Sequence, residues 1–181
     1  MSLVDRWRNI LLRPQQEWRL IDAEATSVGG LFLGYILPLA AIGPVAWIIR
    51  QLLQGQGMAA AILGGLVRYL IGLVGVVVVS FLINALAPAF SGQRNQIQAF
   101  KVTAYASTAA WTVAVLRLIP SPAILQLLGL YSLYLLYLGL PTLMKTPRSK
   151  ALWYTIVVVI VAVAGSFILS LIVFMAAFRG I

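Results

Sequence analysis

The chain reads as long apolar blocks divided by short polar links. The blocks cover 28–49, 59–87, 99–119, 122–143 and 152–178, and a helix of about 20 residues crosses a hydrocarbon core of about 30 Å. Between them lie "QGQG" at 54–57, "APAFSGQRNQ" at 87–96, "IPSP" at 119–122 and "KTPRSK" at 145–150. Such links are rich in residues that stop helices and make turns. The pattern predicts an all-α, polytopic membrane protein with five transmembrane helices over 28–181 and no separate soluble domain. Pro38 and Pro44 interrupt the first block and act as shape determinants there.

The amino end, 1–27, has a different period. In "SLVDRWRNILLRP", Leu3, Trp7, Ile10 and Leu11 recur at helical spacing, while Asp5, Arg6, Arg8 and Asn9 fall elsewhere on the wheel. Pro14 closes the pattern. This predicts one short amphipathic helix in a cytosolic amino-terminal segment. Two placements suit it equally: flat in the membrane interface, or packed on its own bundle. The segment is charged throughout, and the apolar run from Val28 is too long for the core of a cleaved leader.

Composition narrows the class. The chain is 62% hydrophobic and 9% charged, too apolar for an ordinary soluble domain. Thirteen Lys and Arg against four acids give a net charge of +9. These cations are dispersed around apolar blocks, which suits anionic lipid headgroups as partners. No soluble face gathers them with aromatics, so nucleic acid is not an expected partner. With the amino terminus inside, the inner links carry Arg6, Arg8, Arg13, Arg19, Arg94, Lys101, Lys145, Arg148 and Lys150. The outer ends carry Arg50, Arg117 and Arg179. That asymmetry predicts a cytoplasmic amino terminus and, after five spans, a carboxyl terminus outside.

There is no Cys and no His, which removes disulfides, thiol and imidazole catalysis and the usual zinc sites. All four acids, Asp5, Glu17, Asp22 and Glu24, lie within the first 24 residues. No carboxylate pair is therefore expected inside the bilayer. The chain does not read as an enzyme, and neither a metal nor a cofactor is expected.

Three groups of polar residues stand out against the apolar background. Arg68 sits in "GGLVRYLIGLVG" (64–75), in one helical sector with Gly64, Gly72, Gly75 and Val79. A small-residue face admits a neighbouring helix, so Arg68 is expected to point toward protein or a crevice. It would then snorkel or pack, or meet an anion or a lipid phosphate. Lys101, Tyr105, Thr108 and Thr112 align on one face of the third block. They form either a polar crevice or interhelical hydrogen bonds, with Lys101 close enough to the inner end to reach headgroups. Tyr134 and Tyr137 share a face of the fourth block with Pro141, as packing residues or as a stacking surface.

Larger stretches look familiar. "FKVTAYASTAAW" (100–111), "LIPSPAILQLLGLYSLYLLYLGLPTLMKTPRSKALWY" (118–154), "ILLRPQQEWRLIDAE" (10–24) and "GYILPLAAIGP" (34–44) resemble the Yip-one family, the Ypt/Rab-interacting membrane proteins, and in particular its bacterial branch. The most specific part is Tyr131, Tyr134, Tyr137, Gly139, Leu140 and Pro141, followed by Lys145 and Pro147. The resemblance implies five spans, a cytosolic amino terminus and an outward carboxyl terminus. Eukaryotic members resemble trafficking factors that bind small GTPases. This chain lacks their long cytosolic amino-terminal domain and the acidic motif before Gly43–Pro44, so GTPase binding does not carry over.

The function expected from these readings is a non-enzymatic membrane-organising or interaction protein of a bacterial cytoplasmic membrane. Its partners would be anionic lipids and further copies of itself, with no protein partner assigned. The alternative is a small oligomeric channel or transporter for an anion or a lipid, using Arg68 and the third-block stripe.

Overall fold

A computed structural model describes residues 2–118 and 122–178, with the side chains of Arg117, 122–129 and 168–178 left undescribed. Its helices are α1 (Leu3–Leu12), α2 (Pro14–Ala23), the interrupted α3 (Val28–Leu53), α4 (Met58–Leu86), α5 (Gln96–Val113), α6 (Pro122–Leu143) and α7 (Arg148–Phe178). Among the described residues there is no strand. The apolar blocks match α3 to α7 closely. Helix α5 ends sooner, passing into a 3₁₀ turn at Ala114–Leu118. Residues 119–121, most of the expected "IPSP" link, lie outside the described residues.

The amino end holds two helices where one was expected. Ser2 caps α1, its hydroxyl accepting from the Asp5 amide at 3.1 Å. Pro14 then closes α1 and opens α2. A proline cannot continue a helix for want of an N–H, but at a first helical position that N–H would have no partner anyway. The two helices pair as a hairpin packed on α5 and α6. The packed placement therefore prevails over a helix lying alone in the interface.

Helix α3 carries the expected effect of its prolines. A π-helical turn runs over Phe32–Ile36, with the Leu37 N–H reaching back to the Phe32 carbonyl. The wider turn precedes Pro38, which has no N–H to offer the preceding turn. A second break falls at Ala41, ahead of Pro44. The Leu37 carbonyl near these breaks accepts from the Tyr69 hydroxyl of α4 at 2.9 Å. A neighbouring helix thus supplies a bond that the interrupted helix lacks.

Helix α4 has 29 residues, about 43 Å of rise. One flank, including Leu63, Leu66, Leu70, Val74 and Val78, is exposed along its length, as a surface meeting lipid would be. Its glycines pack closely on α3 at Gly64 and Gly65, where a Cβ on Gly64 would stand 2.5 Å from the Trp47 ring. Gly72 and Gly75 face open space, so the small-residue contact covers only part of the expected sector. Helix α5 lies innermost, with Ala99, Val102, Ala104, Ala106 and Ala109 buried. Its alanines let α4 and α6 approach closely. Helix α7 joins through Tyr154, whose ring stacks on Phe90 at 4.7 Å and whose hydroxyl donates to the Ile83 carbonyl.

Three helices are long and apolar enough to cross a membrane: Val28–Leu53, Met58–Phe90 and Arg148–Phe167, the last counted over described side chains. Leu130–Leu143 is a shorter apolar helix.

Candidate functional site

The hairpin buries one face against the bundle, and that face is charged. Ile10, Trp18 and Ile21 are fully covered, and Arg6 and Glu17 lie among them at 7% and 2% exposure. Glu17 and Glu24 are two helical turns apart and so project to the same side of α2. Arg6 reaches across from α1, its Nη1 donating to Glu17 Oε1 at 2.7 Å and its Nη2 to Glu24. The same guanidinium lies 5.7 Å from the centre of the Tyr105 ring, within reach for a cation–π contact.

From Tyr105 the polar contacts continue along α5. Trp18 meets the Tyr105 ring edge-on at 6.2 Å, and Tyr35 of α3 lies tilted over it at 4.5 Å. Tyr35 and Thr108 share a hydroxyl hydrogen bond of 2.7 Å. One turn further, Trp7 Nε1 of α1 donates to Thr112 Oγ1 at 2.8 Å. In the other direction Lys101 Nζ donates to the carbonyls of Ile21 at 2.8 Å and Glu24 at 2.6 Å. A cation on these carbonyls caps the carboxyl end of α2 and meets the negative end of its dipole.

Lys101, Tyr105, Thr108 and Thr112 are thus brought together as the sequence spacing suggests, and the hairpin covers them. Lys101, Tyr105 and Thr108 form a buried seam between α5 and the amino terminus, while half-buried Thr112 also lines an apolar groove of about 390 Å³ with Leu11 and Tyr131. Lys101 is buried and directed at α2, away from the headgroup role considered for it. The seam has a weaker rim: Tyr131 donates to the Leu11 carbonyl at 2.6 Å, and Asp22 takes Lys145 at 2.5 Å and Gln98 at 3.1 Å. With Asp5 bonded to Ser2, all four acids of the chain are engaged.

The remaining candidates lie elsewhere. Arg68 is exposed, and its guanidinium sits 4.7 Å from the centre of the Trp47 ring. The cation without a carboxylate has an aromatic face instead. Both residues line a cleft of about 370 Å³ with Trp111, and none of Lys101, Tyr105, Thr108 or Thr112 lines it. Tyr134 and Tyr137 line another cleft, of about 350 Å³, with Gln15, Arg19 and Arg148. Among the described residues no cluster of three acids, histidines or cysteines could hold a metal.

A family model for the Yip1 domain matches residues 8–177. The chain belongs to the Yip1 family. The Yip1 match includes α2 and all of α3 to α6, so Glu17, Trp18, Glu24 and the α5 stripe fall inside it, while Arg6 lies just before its start. Neither a curated protein nor a solved structure matches the chain.

Arg6, Glu17, Glu24, Tyr35 and Trp47 were not singled out by sequence reasoning. One signal did exist. Glu17 and Glu24 flank Trp18 and Ile21 at helical spacing, which places carboxylates beside the apolar face of a helix. Charges in that position need a partner of opposite sign.

Proposed function

We propose that this Yip1-family chain is a non-enzymatic organising or interaction protein of a bacterial cytoplasmic membrane, acting through its amino-terminal hairpin. The observation that carries this reading is the two-sided hairpin. Its inner side is fixed to α5 by Lys101 on the α2 carbonyls and by Trp7 on Thr112, with the Arg6–Glu17 pair joining α1 to α2 in the buried face and Arg6 lying over the Tyr105 ring. Its outer side exposes Val4, Leu12 and Leu20 together with Arg8 and Arg13. Apolar and basic residues on one outward surface suit the inner face of an anionic bilayer. The absence of His and Cys from the chain supports a role without catalysis.

Five spans are part of the proposal. Helix α5 with its 3₁₀ turn rises about 37 Å and α6 about 33 Å, enough for a core of about 30 Å. Five spans put the two ends on opposite sides, and the excess of Lys and Arg on the inner links supports an amino terminus in the cytoplasm and a carboxyl terminus outside. The chain contains no cysteine, so single cysteines report topology cleanly. On intact cells a membrane-impermeant maleimide is expected to label Gln54→Cys and Ser121→Cys but not Gln93→Cys or Ser149→Cys. Protection of Ser121→Cys would leave only three crossings.

The organising role is tested in vesicles of phosphatidylethanolamine and phosphatidylglycerol. The full chain is expected to change vesicle size or clustering, and Leu12→Ser/Leu20→Ser to lose that effect. Equal behaviour of both proteins would refute the reading. A second reading, passage of an anion or lipid beside Arg68, draws on the cleft between Trp47, Arg68 and Trp111. It requires an anion leak in the same vesicles that Arg68→Gln abolishes.

A further inference from the structure

Arg19 of α2 and Arg148 at the start of α7 line one cleft with Gln15, Tyr134 and Tyr137. Every acid in the chain is engaged elsewhere: Asp5 by Ser2, Glu17 and Glu24 by Arg6, Asp22 by Lys145. Neither arginine has a carboxylate among the described residues. Trp18 also lines the cleft, and its buried Nε1–H has no hydrogen-bond partner. Two cations and several donors around about 350 Å³ call for an anion.

A second cleft of different chemistry shares two lining residues with the first. Tyr134 and Tyr137 also line a groove of about 370 Å³ between α6 and α7, formed with Leu133, Leu152, Ile156 and Ile160. On α7 the residues 148, 152, 156 and 160 are spaced by four, so they form one stripe. It is cationic at its start and apolar for the next 18 Å or so. On antiparallel α6 the order agrees, with Thr142 and Pro141 at the polar end and Leu133 at the apolar end. A soluble anion would have no use for the groove, and an apolar ligand none for the arginines.

We infer that this composite cleft binds one anionic phospholipid, its phosphate between Arg19 and Arg148 and one acyl chain along the α6–α7 groove. The inference rests on membrane residence but not on the organising role of the hairpin, because lipid retention is measured without any vesicle readout.

The test is native mass spectrometry of the full chain in detergent, titrated with palmitoyl-oleoyl phosphatidylglycerol. A cation at a headgroup contributes about fivefold in affinity, so Arg148→Gln is expected to weaken binding about fivefold and Arg19→Gln/Arg148→Gln about thirtyfold. Arg94→Gln removes an equal charge from an exposed position outside the cleft and is expected to change it less than about twofold. Ile156→Trp, which fills the groove, is expected to lose the long-chain lipid while keeping a dihexanoyl analogue. Equal losses in Arg94→Gln and Arg148→Gln would overturn the site in favour of general charge attraction. Displacement of the lipid by inorganic phosphate at matched concentration would reduce the cleft to a free-anion site. Retention by the double variant, folded by circular dichroism, would overturn it outright.

Discussion

Glu17→Leu is expected to release the amino-terminal hairpin from α5. The substitution leaves the Arg6 guanidinium buried with only Glu24, which is half exposed. Removing one partner of a buried pair costs about 3–5 kcal/mol, and the remaining carboxylate places this case near 3. That corresponds to roughly a hundredfold loss of hydrogen-exchange protection over residues 2–24. The rest of the bundle, which does not depend on the pair, should keep its protection. Replacing both members, Arg6→Met/Glu17→Leu, removes the stranded charge and is expected to return docking to within about 1 kcal/mol of the parent. If Glu17→Leu exchanges like the parent, the pair does not hold the hairpin.

Trp18→Ala is the second large effect. Trp18 is 1% exposed, packs edge-on against Tyr105, and covers Gly139 of α6, where a Cβ would stand 2.8 Å from its ring. Truncating a buried tryptophan costs about 3–5 kcal/mol in lost contacts and cavity. The hairpin should again exchange freely, now with its ion pair chemically intact. The cavity has a specific remedy. Gly139→Leu alone is expected to be destabilising by about 1–3 kcal/mol, through overpacking against the indole. In the Trp18→Ala background the same leucine should recover part of the loss. A sign change of this kind is the mark of two residues sharing one space, and purely additive effects would mean that they do not.

The apolar blocks were legible because length and hydropathy alone define them; α6 begins and ends at the residues expected from the sequence. The amino end was half legible. Pro14 was a sound stop for α1, yet the same residue starts α2, and a proline gives no indication which role it plays when it plays both. The α5 stripe was read correctly as one face. Interhelical hydrogen bonds were one of its two readings, and Thr108 and Thr112 make them, but the partners were not legible: Lys101 meets α2 from 80 positions away in sequence, and helical spacing carries no information about contacts between helices. Arg68 shows the same boundary. Its sector was read from periodicity, but its companion Trp47 lies on another helix, and the close approach at Gly64 and Gly65 brings the two helices together. The carboxylates Glu17 and Glu24 were counted as absent from the spans, which is true. The burial of Glu17 follows from folding the amino end back onto the bundle, and composition cannot report that.

The central claim is that the amino-terminal hairpin is docked on the bundle and fills the polar seam of α5. Pulsed dipolar spectroscopy in lipid bilayers tests it most directly, using spin labels at the exposed pair Gln16→Cys and Ser149→Cys in the cysteine-free chain. Docking predicts one narrow distance distribution, which Glu17→Leu broadens. A broad distribution in the parent protein, unchanged by Glu17→Leu, would contradict docking and return the hairpin to the membrane surface.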